Sequence, residues 1–287
     1  MHGRAVAPGA GTILNALSTG IGSAFALDME LTATVEFESS DEINGIIEGN
    51  QNADTRLIER CVSKVVEKYS ATVDMEDDIG ATVTTETEIP LAAGLKSSSA
   101  AANATILASA DALGVSIDPL EACRLGVDAA REVGVAVTGA FDDASASMLG
   151  GVTVTDNTTD ALLNRDTISW DALIYIPPEQ AYSADADVTR CESVSQIANI
   201  IADMAHAGDF ADAMTLNGLA FSAALGYSFE PAIEAMPHVD GVSLSGTGPS
   251  MVAVGDRAEL SAVESKWNER PGQVLWTQTR NDGAHHE

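Results

Sequence analysis

A folded protein of mixed strands and helices, divided into two modest domains, is what the sequence predicts, and three observations predict it. The chain has 287 residues, a length near which a single core stops growing and chains divide. Hydrophobic residues make up 45% of it, so it has the apolar material for a core that disordered chains lack. Segments with the two-residue period of strands alternate with segments at helical spacing.

The elements follow in order. Ala5 to Leu27 carries no charge and is broken by Pro8, Gly9, Gly11, Gly20 and Gly22, which argues against a signal peptide or a membrane span and for a Gly-rich structured segment of an intracellular, cytoplasmic protein. Leu31, Ala33, Val35 and Phe37 alternate with Thr32, Thr34 and Glu36, the pattern of a half-buried strand from Glu30 to Glu38. Behind Asp54 as a cap, Leu57, Ile58, Cys61, Val62, Val65, Val66 and Tyr69 recur at helical spacing, which puts Cys61 on a buried stripe rather than in catalysis. Ala81 to Ile89 reads as a strand closed by Pro90, and the alanine-rich run Ala100 to Leu113 reads as a helix. A second helix spans Pro119 to Val133, after which Gly139-Ala140-Phe141-Asp142-Asp143 interrupts the pattern, and Gly150-Gly151 precedes a short strand, Val152 to Thr155.

The crowded polar residues of Asp156 to Asp166 mark the expected boundary, dividing the chain into 1–160 and 161–287. Beyond it come a strand at Ala172 to Ile176, helical periodicity at Val194, Ile197, Ile201 and Met204, and a Gly-rich loop between two apolar segments within Gly241 to Gly255.

Charge narrows the function. Fourteen Lys and Arg face 43 Asp and Glu, a formal net charge of −29, which excludes the basic face that nucleic-acid binding requires. The acids are spread evenly and only four lysines occur, so the surface is a solvated acidic one suited to a high-salt cytoplasm, a halophilic composition. Cys61, Cys123 and Cys191 are odd in number and form no CxxC, and the five histidines have no ligand spacing; neither a disulfide framework nor a zinc site is expected.

Chemistry concentrates at Pro90-Leu91-Ala92-Ala93-Gly94-Leu95-Lys96-Ser97-Ser98-Ser99-Ala100. A small-residue loop running into a helix exposes backbone N–H groups at a positive helix end, the serine hydroxyls suit phosphate oxygens or a magnesium shell, and Lys96 is a point charge for the same anions. Taken alone, the segment is equally a serine-rich helix cap that binds nothing. No GxxxxGK[ST] occurs and no GxGxxG follows a strand, which sets aside P-loop kinases and dinucleotide-binding enzymes.

Ala7-Pro8-Gly9, the Pro90 to Ala101 segment, and Leu244-Ser245-Gly246-Thr247-Gly248-Pro249-Ser250 stand in the order and approximate spacing of the three motifs of the GHMP kinases. Within that superfamily the chain resembles the archaeal type of shikimate kinase, through Gly-Leu-Lys-Ser-Ser-Ser at 94–99, Gly22 to Asp28, and Gly139 to Ser145. The resemblance implies an α+β GHMP kinase two-domain fold, the amino-terminal domain like the second domain of ribosomal protein S5 and the carboxy-terminal one ferredoxin-like. It also implies ATP and Mg²⁺ as cofactors and shikimate as the acceptor, with no nucleic-acid or membrane partner. Carried over by residue, it implies that Pro90 to Ala100, with Gly246 and Gly248, hold the ATP phosphates, that Ser97 or Ser98 lies near the metal with Glu132 as a further ligand, and that Asp142 orients or deprotonates the acceptor hydroxyl, with Asp143 able to exchange roles. One departure is Ala10, where mevalonate-kinase-like members carry a lysine; Lys96 or Arg4 is the candidate replacement. Arg4, Arg131 and Arg190 are candidates by type for the acceptor carboxylate. A sister kinase of the homoserine or mevalonate type, or a non-catalytic nucleotide- or metabolite-binding member, is the alternative.

Overall fold

The computed structural model describes all residues except 41, 51, 71–72, 74–78, 136–139 and 180–186. Gly139, one of the residues quoted above, lies outside the described residues.

The uncharged amino-terminal segment forms a long antiparallel pair, β1 (His2–Leu14) and β2 (Ile21–Glu38). Its lack of charge has a plain cause, since Ala5 to Leu14 and Gly22 to Leu27 are buried throughout and an unpaired charge there carries a large desolvation cost. β3 (Ile43–Ile47) runs parallel to β4 (Gly80–Thr87), with α1 (Arg56–Tyr69) as the crossover. Thr55 rather than Asp54 occupies the N-cap position of α1, and the Asp54 carboxylate instead takes the Arg56 guanidinium.

α2 (Ser97–Ala112) is buried on nearly every face, which explains its alanine-rich, non-amphipathic sequence. α3 (Pro119–Val133) starts where Asp118 accepts the Leu120 and Glu121 amides and stops at Gly134 in the left-handed region. α4 (Phe141–Leu149) follows, then the hairpin β5 (Val152–Asp156) and β6 (Ala161–Asp166).

The remaining elements are β7 (Asp171–Ile176), α5 (Ser195–Ala207), α6 (Phe210–Leu225), α7 (Glu230–Ala235), β8 (Gly241–Leu244), β9 (Met251–Gly255), α8 (Arg257–Trp267), β10 (Gln273–Gln278) and β11 (His285–His286). Strands β7 to β10 form an antiparallel sheet in the order β10-β7-β9-β8, with α5, α6 and α7 connecting β7 to β8 and α8 connecting β9 to β10. This is the ferredoxin-like arrangement.

The other sheet has seven strands, in the order β11-β1-β2-β4-β3 with β5 and β6 branching from β2. The expected boundary at 160/161 therefore cuts the β5–β6 hairpin. The change of sheet falls between Asp166 and Asp171, and β11 returns the chain end to β1. Polar composition misplaced the boundary because an edge hairpin, with one face in water, is as polar as a linker.

Candidate active site

A cleft of about 600 Å³ opens between the two halves, lined by the amino end of α2, the first turn of α4, the β1–β2 connection and the loop before β9. Each wall has a local cause. Lys96 caps α2 in the left-handed conformation (φ 65°) without a side-chain cap bond, so the orphan amides of the first turn, at Ser97 to Ser99, stay free of intrahelical partners on the cleft wall. α4 begins the same way behind Ala140, again without a side-chain cap bond, and carries Asp142 and Asp143 in its first turn, where the helix dipole favours negative charge. The Asn103 side-chain amide on α2 donates to the Ala144 carbonyl at 2.9 Å and ties the two helices together.

The loop 245–250 closes over the phosphate-type loop. Ser245 Oγ donates to the Gly94 carbonyl at 2.9 Å, and the Gly246 amide donates to Thr12 Oγ1 at 2.8 Å. A Cβ at Gly246 would stand 2.8 Å from Lys96 Nζ, so only glycine leaves that ammonium its place. Lys96 Nζ lies 2.8 Å from Asp143 Oδ1, and its side chain is only 5% exposed.

Asp142 is buried beside this pair. The Asn157 amide group donates to Asp142 Oδ1 at 2.7 Å, while Asn157 Oδ1 accepts the Asp142 backbone amide at 3.1 Å and the Thr155 hydroxyl at 2.8 Å. Gly22 on β2 presses on the carboxylate from the other side, where a Cβ would come within 2.5 Å of Oδ2. Burial pushes the Asp142 carboxyl well above the ordinary carboxylate range, to about 7; the negative charge of Asp143 adds to this, and Lys96 and the Asn157 bond oppose it. A carboxylate raised in this way and held rigidly in a cleft is suited to take a proton near neutral pH.

The expected residues are brought together in part: Pro90, Ala93, Leu95, Ala100 and Gly248 are not among those lining the cleft, and Ala93, Leu95 and Ala100 are buried in the core. Leu91, Ala92, Gly94, Lys96, Ser97, Ser98, Ser99, Asp142, Asp143 and Gly246 all line the cleft. Glu132 does not. Its carboxylate, 45% exposed, is held by Arg60 and Lys64 at 2.5 Å each, and the residue is not among those lining the cleft. Glu132, expected as a metal ligand, is thus engaged by two cations on an exposed part of α3. Arg4 pairs with Glu287, Arg131 with Asp160, and Arg190 donates to the Ala223 carbonyl, so none of the three lines the cleft. Of the two candidates to replace a lysine at position 10, it is Lys96 that the fold brings to the carboxylates, and Ala10 donates its amide to the carbonyl of the neighbouring Leu95. Asn157 and Thr12 had no sequence signal, because their roles come from sheet registers that only the fold creates. Cys61, Cys123 and Cys191 are buried thiols whose pKa burial raises, core residues and not nucleophiles.

An uncapped helix end, a glycine-containing loop and a buried carboxylate beside a lysine thus share one cleft, the arrangement that the resemblance to GHMP kinases implies. In agreement, the family model described as "GHMP kinases N terminal domain" matches residues 56–151. Solved structures with the same fold include a homoserine kinase from Cytophaga hutchinsonii, with a TM-score of 0.75 at 16% identity over 100% of this chain and 97% of that one. A mevalonate kinase from Methanococcus jannaschii gives 0.76 at 14% identity over 97% and 98%. Among curated proteins, a shikimate kinase of Halobacterium salinarum is 58% identical over 99% of both chains, and one of Methanothrix thermoacetophila is 46% identical over 99% of this chain and 96% of its own. The chain belongs to the shikimate kinase family of the GHMP kinase superfamily.

Proposed function

We propose that the protein transfers the γ-phosphoryl group of ATP to a hydroxyl of shikimate, giving shikimate 3-phosphate and ADP, a step of chorismate and aromatic amino-acid biosynthesis, with Mg²⁺ as cofactor. The observation that carries the reading is the single cleft in which Asp142, Asp143 and Lys96 face the uncapped amino end of α2. The 58% identity to the H. salinarum enzyme along 99% of both chains supports the acceptor.

In this reading the loop 90–100 and the Ser97 to Ser99 amides cradle the phosphates, and Gly246 and Gly248 close the loop over them. The acceptor hydroxyl gives its proton to Asp142 as its oxygen forms a bond to the γ-phosphorus. The bond from that phosphorus to the β–γ bridging oxygen breaks, and ADP leaves with the electron pair. Lys96, anchored by Asp143, supplies positive charge beside the equatorial oxygens, where charge is spread during phosphoryl transfer. The Ser98 hydroxyl on the cleft wall is a hard oxygen donor of the kind Mg²⁺ takes, and with phosphate oxygens as its other ligands the ion would neutralise phosphate charge when bound. Among the described residues no three-carboxylate or histidine cluster competes for it, and no helix is long and apolar enough to cross a membrane.

ADP release measured with Mg-ATP in molar KCl tests the proposal, with shikimate, homoserine and mevalonate as rival acceptors. Turnover is expected with shikimate and is expected to fall at least about 100-fold in Asp142→Asn, the loss typical of a missing proton acceptor. Turnover confined to another acceptor, or undiminished in the variant, would overturn the acceptor or the base respectively.

A further inference from the structure

Buried side-chain donors are nearly always paired, because leaving one unpaired costs the full desolvation of that group. Asn15 is an exception at a telling place. It sits at the start of the β1–β2 connection and lines the cleft, yet it is only 5% exposed, and its side-chain Nδ2 has no hydrogen-bond partner.

The surroundings hold Asn15 firmly. Its backbone amide donates to Asn217 Oδ1 on α6 at 2.9 Å, and Asn217 in turn donates to Ser243 Oγ on β8 at 2.9 Å. Both partners are fully buried. A chain of buried polar groups from the second half thus fixes the residue and leaves its amide group unused. Such networks are conserved in a fold only at a cost in desolvation, and an unsatisfied member calls for a partner.

The position identifies the partner. The same β1–β2 connection carries Gly20, whose carbonyl accepts the Asn157 amide at 2.8 Å, and leads into Gly22, which abuts Asp142. Asn15 therefore lines the same cleft as Asp142, on the connection that supports it. What meets Asp142 is the hydroxyl that becomes phosphorylated, so a donor lining that cleft faces the rest of the acceptor. Arg4, Arg131 and Arg190 do not line the cleft, Arg56, which does, is held by the Asp54 carboxylate, and the neighbouring Ser18 hydroxyl is likewise buried and unpaired.

We infer that Asn15 binds the acceptor, donating its side-chain amide to an oxygen of the hydroxylated carboxylic acid and thereby selecting it. The inference rests on the phosphorylation of shikimate proposed above. An acceptor lacking an oxygen at that point leaves the donor unpaired and is discriminated against, as polar sites reject analogues that cannot pair with them.

Steady-state kinetics of Asn15→Ala and Asn15→Asp, with shikimate and ATP varied separately, provide the test. KM for shikimate is expected to rise at least 10-fold in both variants, with KM for ATP within 2-fold of wild type. A second reading keeps folding apart from binding. The free Asn15→Ala protein should melt at or above the wild-type temperature, since an unpaired donor is removed, while the upward shift of Tm on adding shikimate should disappear. KM values for acceptor and nucleotide rising in step, an unchanged KM for shikimate, or a retained shikimate-induced shift would overturn the inference. Wild-type protein that turns over a different acceptor would remove the reading on which it rests, and is told apart because it needs no variant.

Discussion

Asp142 is a residue whose chemistry and stability pull in opposite directions. Burial raises its pKa to about 7 in the folded protein, whereas in the unfolded chain the carboxyl titrates near the ordinary aspartate value. Between those values the folded state binds a proton that the unfolded state has lost, so folding stability from this group falls as pH rises through the window and stays reduced above it. Asp142→Asn, which keeps the shape and removes the charge, is therefore expected to melt higher than wild type at pH 8, with the gap narrowing as pH is lowered towards 5; a variant no more stable at pH 8 would contradict the raised pKa. The acid limb of kcat/KM should fall as pH drops through about 7, because the base must be ionised to accept a proton. Lys96 opposes the upward shift, so Lys96→Met is expected to move that limb to higher pH besides lowering kcat, a displacement that a merely structural lysine would not produce. The sequence made Lys96 visible by its residue type in the serine-rich loop, and Asp142 only through the resemblance of its segment to that of GHMP kinases. It left Asn157 and Asn15 unmarked, because an asparagine acquires such a role only from what the fold sets against it.

At the scale of elements, the site is made by four chain segments meeting, and glycine decides how closely. β2 crosses Asp142 at Gly22, where a Cβ would overlap the carboxylate group. Gly22 also pairs with Thr155 across to β5, two residues before Asn157, so the strand cannot simply retreat. Gly22→Ala should displace Asp142 and lower kcat about 100-fold, on the principle that a shift of about 1 Å at a reacting group costs that much, while circular dichroism and KM for ATP remain near wild type; an unchanged kcat would show that the contact is not part of the machinery. Legibility at this scale followed periodicity. α3 was readable as Pro119 to Val133, and β2 from its alternation beyond Glu30. β1 escaped because both its faces are buried, which erases the two-residue period, and α4 escaped because its first turn, Phe141-Asp142-Asp143, has the composition of a loop.

For the whole molecule the governing quantity is its charge of −29. The ion pairs that would offset it are mostly exposed, such as Arg56 with Asp54, Lys68 with Glu121 and Arg4 with Glu287, and pairs of that kind contribute little to stability. On the outer face of the large sheet Glu36, Glu38, Glu86 and Glu88 are exposed on the neighbouring strands β2 and β4 and the residue after β4, with no salt bridge among the described residues. The folded state concentrates this surplus and the unfolded chain disperses it, so repulsion destabilises folding whenever screening is weak. At about 0.1 M salt the screening length is about 10 Å, long enough for neighbouring carboxylates to feel one another, and at about 1 M it shrinks to about 3 Å. Tm is therefore expected to rise steeply as KCl is raised from about 0.1 to 1 M and to flatten beyond it. The replacement of those four glutamates by glutamine should raise Tm at low salt and change it little in molar KCl, where the repulsion is already screened. Equal gains at both ends would assign the effect to local packing of the sheet face, and a flat Tm in the wild type would remove charge repulsion as the reason for this composition. Screening of this kind acts on the surface and leaves the buried Asp142, Asp143 and Lys96 group largely untouched, so the pH limb of catalysis should hold its position across the same salt range in which stability changes.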